Sequence, residues 1–282
     1  MNYRHAFHAG NFADVVKHTV LARIIAYLKE KPAAFRVIDT HAGAGVYDLS
    51  SAEAGRTGEW RGGIGRLLGA PLAPEVRDLL APYLDAVASF NPGGTLEVYP
   101  GSPALLRHWL RPQDRMIACE AEPVAARALS ARIRGDSRIK AVAIDGYTAL
   151  NAYVPPKERR GLVLTDPPFE QPDEFARLAE TLAAAHRKWP TGLYLLWYPV
   201  KDLRTAQGFG RDLARRGIAR MLRAEMTVAP VRAGEKLAGC GLIMVNPPWT
   251  LEGELAVLLP ALADILAVEK GAARLDWLTG EK

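Results

Sequence analysis

Leu162-Val163-Leu164-Thr165-Asp166-Pro167-Pro168-Phe169 is an apolar run that stops abruptly at an acid and two prolines. A continuous rather than alternating apolar run suits a strand buried on both faces of a parallel sheet. The prolines then exclude both a further ladder bond and a helical turn, so the chain leaves the strand as a rigid loop.

The same pattern recurs on either side of it. Phe35 to Asp39 runs into Thr40-His41-Ala42-Gly43-Ala44-Gly45, Met116 to Cys119 ends in Glu120, and Ile139 to Ile144 ends in Asp145-Gly146. Leu193 to Tyr198, Ile218 to Val228 and Gly241 to Val245 read as further strands, the last two forming a closing hairpin. Stretches of helical period separate the runs: one capped by Asn11 and ended by Lys31-Pro32, and others at Pro123 to Arg134, Asp173 to Lys188 and Leu203 to Arg216. This alternation predicts an α/β fold with a mostly parallel sheet of seven strands. Residues 47–95 break the rhythm, being rich in Gly and Pro around a helical stretch from Val76 to Phe90. They read as a small inserted helical subdomain. The chain thus divides into 1–46, an N-terminal segment with the first strand; 47–95, the insertion; and 96–282, the remainder of the main domain.

In open α/β sheets ligands bind beyond the carboxyl ends of the parallel strands. Here those ends carry Asp39 with the glycine turn, Glu120, Asp145-Gly146 and Asp166, and the series is more informative than any one member. Glycines let backbone approach a ligand closely, and an acid ending the second strand suits the ribose hydroxyls of a nucleoside cofactor. Asp166-Pro167-Pro168-Phe169 answers the difficulty of alkylating an aromatic amine, whose lone pair is delocalised. A carboxylate and a carbonyl fixed by proline can accept the two amino hydrogens, and Phe169 offers a flat face for an extruded base. Asn246-Pro247-Pro248-Trp249 repeats the pattern after another apolar run. If that run is an antiparallel strand, Asn246 falls on the wrong rim of the sheet.

The whole chain, 282 residues with 49% hydrophobic and 24% charged side chains, has globular rather than disordered proportions. A net charge of +5 favours a polyanionic partner without proving one. Cys119 and Cys240 lack CxxC spacing and sit in apolar runs, as buried thiols of a reducing compartment do. No apolar run approaches a membrane span and no signal-peptide region opens the chain, so a soluble cytoplasmic protein is expected. The N-terminal run from Tyr3 to Lys17-His18 mixes aromatics and cations, which suits bases and phosphates. His5, His8, His18 and His41 lack the carboxylate or cysteine spacing of a metal site, and no metal is expected.

Tyr3 to Asn11, Lys17-His18, Asp39 to Gly45, Tyr99-Pro100-Gly101-Ser102-Pro103, Asp166 to Phe169, Leu196-Trp197-Tyr198-Pro199 and Asn246 to Trp249 together closely resemble the bacterial 23S ribosomal RNA adenine-N6 methyltransferase J family (RlmJ). The match runs nearly end to end. The resemblance implies a Rossmann-like class I methyltransferase domain dependent on S-adenosylmethionine, acting as a monomer on the N6 of one adenine in free or partly assembled 23S rRNA. By matching motif it implies that His18, His41, Ser102, Glu120, Asp145 and Gly146 contact S-adenosylmethionine. Asp166 is the expected catalytic residue, with Tyr3, His5, Lys17, Pro167 and Phe169 on the substrate side. Phe169 stands where tyrosine is commoner, which keeps stacking but not a hydroxyl contact. Three other readings share parts of the pattern: DNA adenine-N6 methylation, a nucleotide-dependent oxidoreductase, and a noncatalytic RNA-binding protein. The second leaves Asp166-Pro167-Pro168-Phe169 unexplained.

Overall fold

Asn11 starts the first long helix: its side-chain oxygen accepts the Asp14 backbone N–H at 3.0 Å, satisfying a donor that a helix N-terminus leaves orphaned. The resulting α1 (Phe12–Glu30) ends at Lys31, which is extended as a residue before proline must be. In the computed structural model, which describes residues 4–232 and 237–280, α1 is buried on nearly every side and is a core helix. After it come β1 (Arg36–Asp39), the glycine turn and β2 (Val46–Asp48). Four helices follow, α2 (Ala52–Thr57), α3 (Glu59–Gly62), α4 (Ile64–Gly69) and α5 (Pro74–Ser89). The excursion closes with β3 (Val98–Pro100), which pairs antiparallel with β2.

Regular alternation then takes over, with α6 (Ser102–Trp109), β4 (Arg115–Glu120), α7 (Pro123–Arg132), β5 (Ile139–Ala143), α8 (Gly146–Tyr153) and β6 (Gly161–Thr165). It continues through α9 (Glu174–Lys188), β7 (Leu193–Val200), α10 (Leu203–Arg215), β8 (Met221–Thr227), β9 (Gly239–Val245), α11 (Leu251–Leu266) and β10 (Ala272–Thr279). The main sheet has the order β10-β8-β9-β7-β6-β1-β4-β5. β5, β4, β1, β6 and β7 are parallel neighbours. β9 runs against both β7 and β8, and β10 runs against β8. The chain builds outward from β1 through β4 to β5, then returns to lay β6 and β7 on its other side. The reversal between β1 and β6 is the switch point at which doubly wound sheets open a ligand cleft.

The sheet thus has one strand more than expected. The eighth, β10, is an edge strand whose Ala272, Ala273 and Arg274 are exposed. Ala273 to Trp277 alternate apolar and polar, but the run is short and Thr279 is its one β-branched residue, so the signal in the sequence is weak. The inserted helices also differ from a subdomain with its own core. Ile64, Leu67, Val76, Leu80 and Tyr83 share one apolar cluster with Leu21 and Ile25 of α1 and Leu255 and Leu259 of α11. The opposite sheet face carries a second cluster, where Leu178 and Leu182 of α9 and Phe209 of α10 pack.

Strand direction decides between the two proline motifs. The pairing of Tyr194 with Val245 puts the end of β9 beside the start of β7, at the opposite rim from Asp166. There Asn246, at φ +52°, donates from Nδ2 to the carbonyls of Pro190 at 2.8 Å and Gly192 at 2.9 Å. Asn246 is therefore a structural clasp, and Trp249 after it is 79% exposed. Among the described residues no helix is long and apolar enough to cross a membrane.

Candidate active site

Asp39 pairs in register with Leu164, so the glycine turn after β1 and the proline loop after β6 emerge side by side. Thr40 fastens them together: its N–H and its hydroxyl both donate to the Leu164 carbonyl, at 3.0 and 3.1 Å. Beyond this seam Asp166 is half-buried and accepts a hydrogen bond from Lys17 Nζ of α1. The same ammonium donates to Asp14 Oδ1 at 2.8 Å. Asp14 Oδ2 also accepts the Gly10 N–H at 2.9 Å and lies 3.0 Å from His5 Nε2. A chain of polar contacts thus runs from His5 through Asp14 and Lys17 to Asp166.

Burial by itself would raise the Asp14 pKa and lower that of Lys17. The neighbouring opposite charges outweigh it, holding the Asp14 carboxyl well below the usual range and the Lys17 ammonium well above. Both therefore stay ionised at neutral pH. Lys17 was expected to meet the substrate. Its side chain is instead almost fully enclosed, with its charge divided between two carboxylates, one of them Asp166. His5 is half-buried, with its ring edge-on to Tyr47 at 5.0 Å. Tyr3 lies outside the described residues.

Pro167 is buried, and Phe169 takes the left-handed conformation at φ +51°, a strained state for an aromatic residue. Packing holds it there: the ring lies 4.7 Å from Phe175 and edge-on to Trp197 at 5.8 Å. The free flat face expected for base stacking is thus reduced, because the ring is partly buried against Phe175 and Trp197.

The residues expected around a cofactor converge on the same rim. Ser102 donates to Asp39 Oδ2 at 2.7 Å, while Asp39 Oδ1 is buried without a partner. Burial pushes the Asp39 pKa up to about 7, although the Ser102 hydrogen bond works against it. His18 is fully buried; its Nδ1 is 2.7 Å from the Tyr99 hydroxyl, which lies 3.0 Å from that of Tyr83, and its Nε2 has no partner. Burial, reinforced by Lys17, keeps this imidazole neutral. Burial also lowers the His41 pKa to about 4.

Glu120 binds back to the turn, accepting the Gly43 N–H and the Glu122 N–H at 2.7 Å each. Each carboxylate oxygen retains a second lone pair for another donor. Asp145 caps α8 through the Thr148 N–H at 2.8 Å and contacts Arg177 at 3.3 Å. A Cβ on Gly146 would fall 2.4 Å from the Thr40 carbonyl and 2.6 Å from the His41 ring, so only glycine lets α8 start this close to the turn. Among the described residues no group of three or more His, Cys, Asp or Glu is arranged to hold a metal ion.

Sequence reasoning missed Asp14, Tyr99 and Tyr83 as parts of this site. Asp14 did give a signal, standing three residues before Lys17 on one helical face. The tyrosine pair gave none, because residues 83 and 99 meet only through the fold.

The family model described as "Ribosomal RNA large subunit methyltransferase D, RlmJ" matches residues 32–279. Ribosomal RNA large subunit methyltransferase J of Escherichia coli is 39% identical over 282 residues, covering all of both chains. The chain belongs to the RlmJ family. The Haemophilus influenzae protein of the same description is 38% identical, again over the full length of both chains. The crystal structure of protein LPL1258 from Legionella pneumophila superposes on this RlmJ-family chain with a TM-score of 0.88 and 33% identity. It covers 98% of this chain and 99% of its own. The RlmJ fold is accordingly an α/β, class I methyltransferase-like one, with a mixed sheet in which β7, β6, β1, β4 and β5 run parallel.

Proposed function

We propose that this protein transfers a methyl group from S-adenosylmethionine to the exocyclic N6 of an adenine in 23S ribosomal RNA. The observation that carries the reading is the position of Asp166-Pro167-Pro168-Phe169. It follows a central parallel strand beside the glycine turn, with Asp166 held by a buried lysine. The residues present fit the cofactor. His18 Nε2 and Asp39 Oδ1 are buried polar atoms without protein partners, and burying such groups is costly unless a ligand satisfies them. His18, His41, Ser102, Glu120, Asp145 and Gly146 would hold the cofactor, with Glu120 on the ribose hydroxyls. When bound, S-adenosylmethionine supplies an electrophilic methyl group carried on a sulfonium.

The chain's own part is positioning. Asp166 and the Pro167 carbonyl accept the amino hydrogens, turning the nitrogen lone pair towards the methyl carbon, and Asp166 takes up the proton released. Lys17 fixes one Asp166 oxygen, which leaves the other for the amine. Tyr3 and His5 contact the RNA, and the exposed part of Phe169 packs on the base. We read 1–46 with 96–282 as the methyltransferase domain, 47–95 as its insertion, and the working form as a cytoplasmic monomer.

Incubating the protein with unmodified transcribed 23S rRNA and labelled S-adenosylmethionine tests the reading, with digestion and mass spectrometry identifying the product. One N6-methyladenine is expected. Asp166→Ala should lower kcat at least about a hundredfold, the scale of a lost proton acceptor, while S-adenosylmethionine still binds by calorimetry. Methylation of duplex DNA but not rRNA would overturn the reading.

A further inference from the structure

The glycine turn also borders a second hollow, whose lining does not include Glu120. There Gly45, α6, the end of α5 and the end of α7 enclose a concavity of about 300 Å³. Its floor is apolar, formed by Pro103, Leu129 and the half-buried Phe90. Gly45 completes it: at φ +88° it occupies the left-handed region, and a Cβ there would sit 3.4 Å from Leu129 and 3.7 Å from the Arg132 side chain.

The rim is cationic. Arg107 and Arg138 share Asp136, at 3.0 Å from Arg107 Nε and at 2.9 and 2.7 Å from two nitrogens of Arg138. One carboxylate thus orients two guanidiniums without neutralising both. Arg132 is exposed, and no carboxylate among the described residues pairs with it. The result is a small apolar slot with an aromatic ring, edged by two uncompensated positive charges.

An aromatic or aliphatic floor beneath guanidiniums is the chemistry that receives an unstacked nucleotide: the base lies on the floor and the phosphate takes the cations. About 300 Å³ is at the small end of ligand pockets, enough for one nucleotide and too little for a helix.

We propose that this slot holds a second, unpaired nucleotide of the RNA substrate, separate from the adenine that enters at Asp166. The inference rests on the functional reading above. One turn separates the two sites: its Gly43 N–H is bound by Glu120 on the cofactor side, and its Gly45 lines the slot. The substrate is therefore gripped at a second point on the turn that shapes the cofactor cleft.

The test uses the full chain with Arg132→Glu, Arg132→Lys and Phe90→Leu. The last keeps apolar volume while removing the ring. Filter binding gives Kd for transcribed 23S rRNA over a salt series, turnover gives KM and kcat, and calorimetry gives S-adenosylmethionine affinity. Arg132→Glu should raise the rRNA Kd and KM at least about tenfold and lower the salt slope by about 1, the mark of one lost phosphate contact. Arg132→Lys should retain most of the affinity. Phe90→Leu should weaken rRNA binding about fivefold or more, the lower end of base stacking, with an unchanged salt slope. kcat and S-adenosylmethionine binding should not change in any variant. An rRNA Kd within about twofold of wild type for Arg132→Glu overturns the proposal, and so does loss at Arg132 with none at Phe90. Binding is read without turnover. Wild-type protein that binds rRNA but methylates none therefore overturns the functional reading and leaves the slot to be judged by its own Kd values.

Discussion

At the scale of single residues, the rim around the glycine turn holds groups that titrate in opposite senses. Asp39, raised to about 7, binds its proton more tightly in the folded state than the ordinary carboxyl near ~3.9. Its contribution to stability is full below that unfolded value and is lost as pH rises through about 7. His41, lowered to about 4, binds its proton more weakly than the unfolded ~6.5, so its contribution is lost as pH falls through about 4 and complete above about 6.5. His18 has the sign of His41. The two kinds oppose one another between about pH 4 and 6.5, at about 1.4 kcal/mol per pH unit for each proton. Urea unfolding over that range should show Asp39→Asn gaining stability with pH more steeply than wild type, and His41→Gln less steeply. Parallel profiles for the three proteins would show that these groups are not titrating as described. The residue types of this rim were legible in the sequence because acids and glycines followed apolar runs. The burial of Lys17 was not, since a lysine is by default solvated and its partner Asp166 is distant in the chain.

At the scale of elements, what could be read depended on burial. β1, β4, β6 and β7 lie inside the sheet, so the middle of each is apolar, with the charged residues of β1 and β4 at their ends. β10 is a half-exposed edge and β2 and β3 are three residues each, too short to show a period. The two proline motifs look alike as strings and differ through strand direction alone. Asn246→Ala removes two side-chain hydrogen bonds and leaves a Cβ residue in the left-handed region. It should cost about 1–3 kcal/mol in denaturant unfolding while leaving kcat at the wild-type value. A variant with intact stability and lost turnover would return Asn246 to the chemistry.

At the scale of the whole molecule, the inserted helices and the sheet share one core. Leu80 on α5 is fully buried in the cluster that also holds α1 and α11. Leu80→Ala should therefore destabilise the entire chain by about 2–5 kcal/mol, with far-UV and near-UV circular dichroism unfolding together. Two separated transitions would mean that the insertion folds independently. The Gly- and Pro-rich stretch 47–95 stood out in the sequence but could not reveal this sharing, because an apolar face gives no sign of which neighbour covers it. The placement of the tryptophans has an optical consequence. Of six in the chain, Trp197 abuts the proline loop at Phe169, whereas Trp249 stands in water on the far rim. Trp249 contributes a red-shifted, readily quenched emission that is indifferent to events at Asp166. A protein carrying Trp249→Phe should remove that background, so that intrinsic fluorescence follows the environment of the loop at Asp166 more directly.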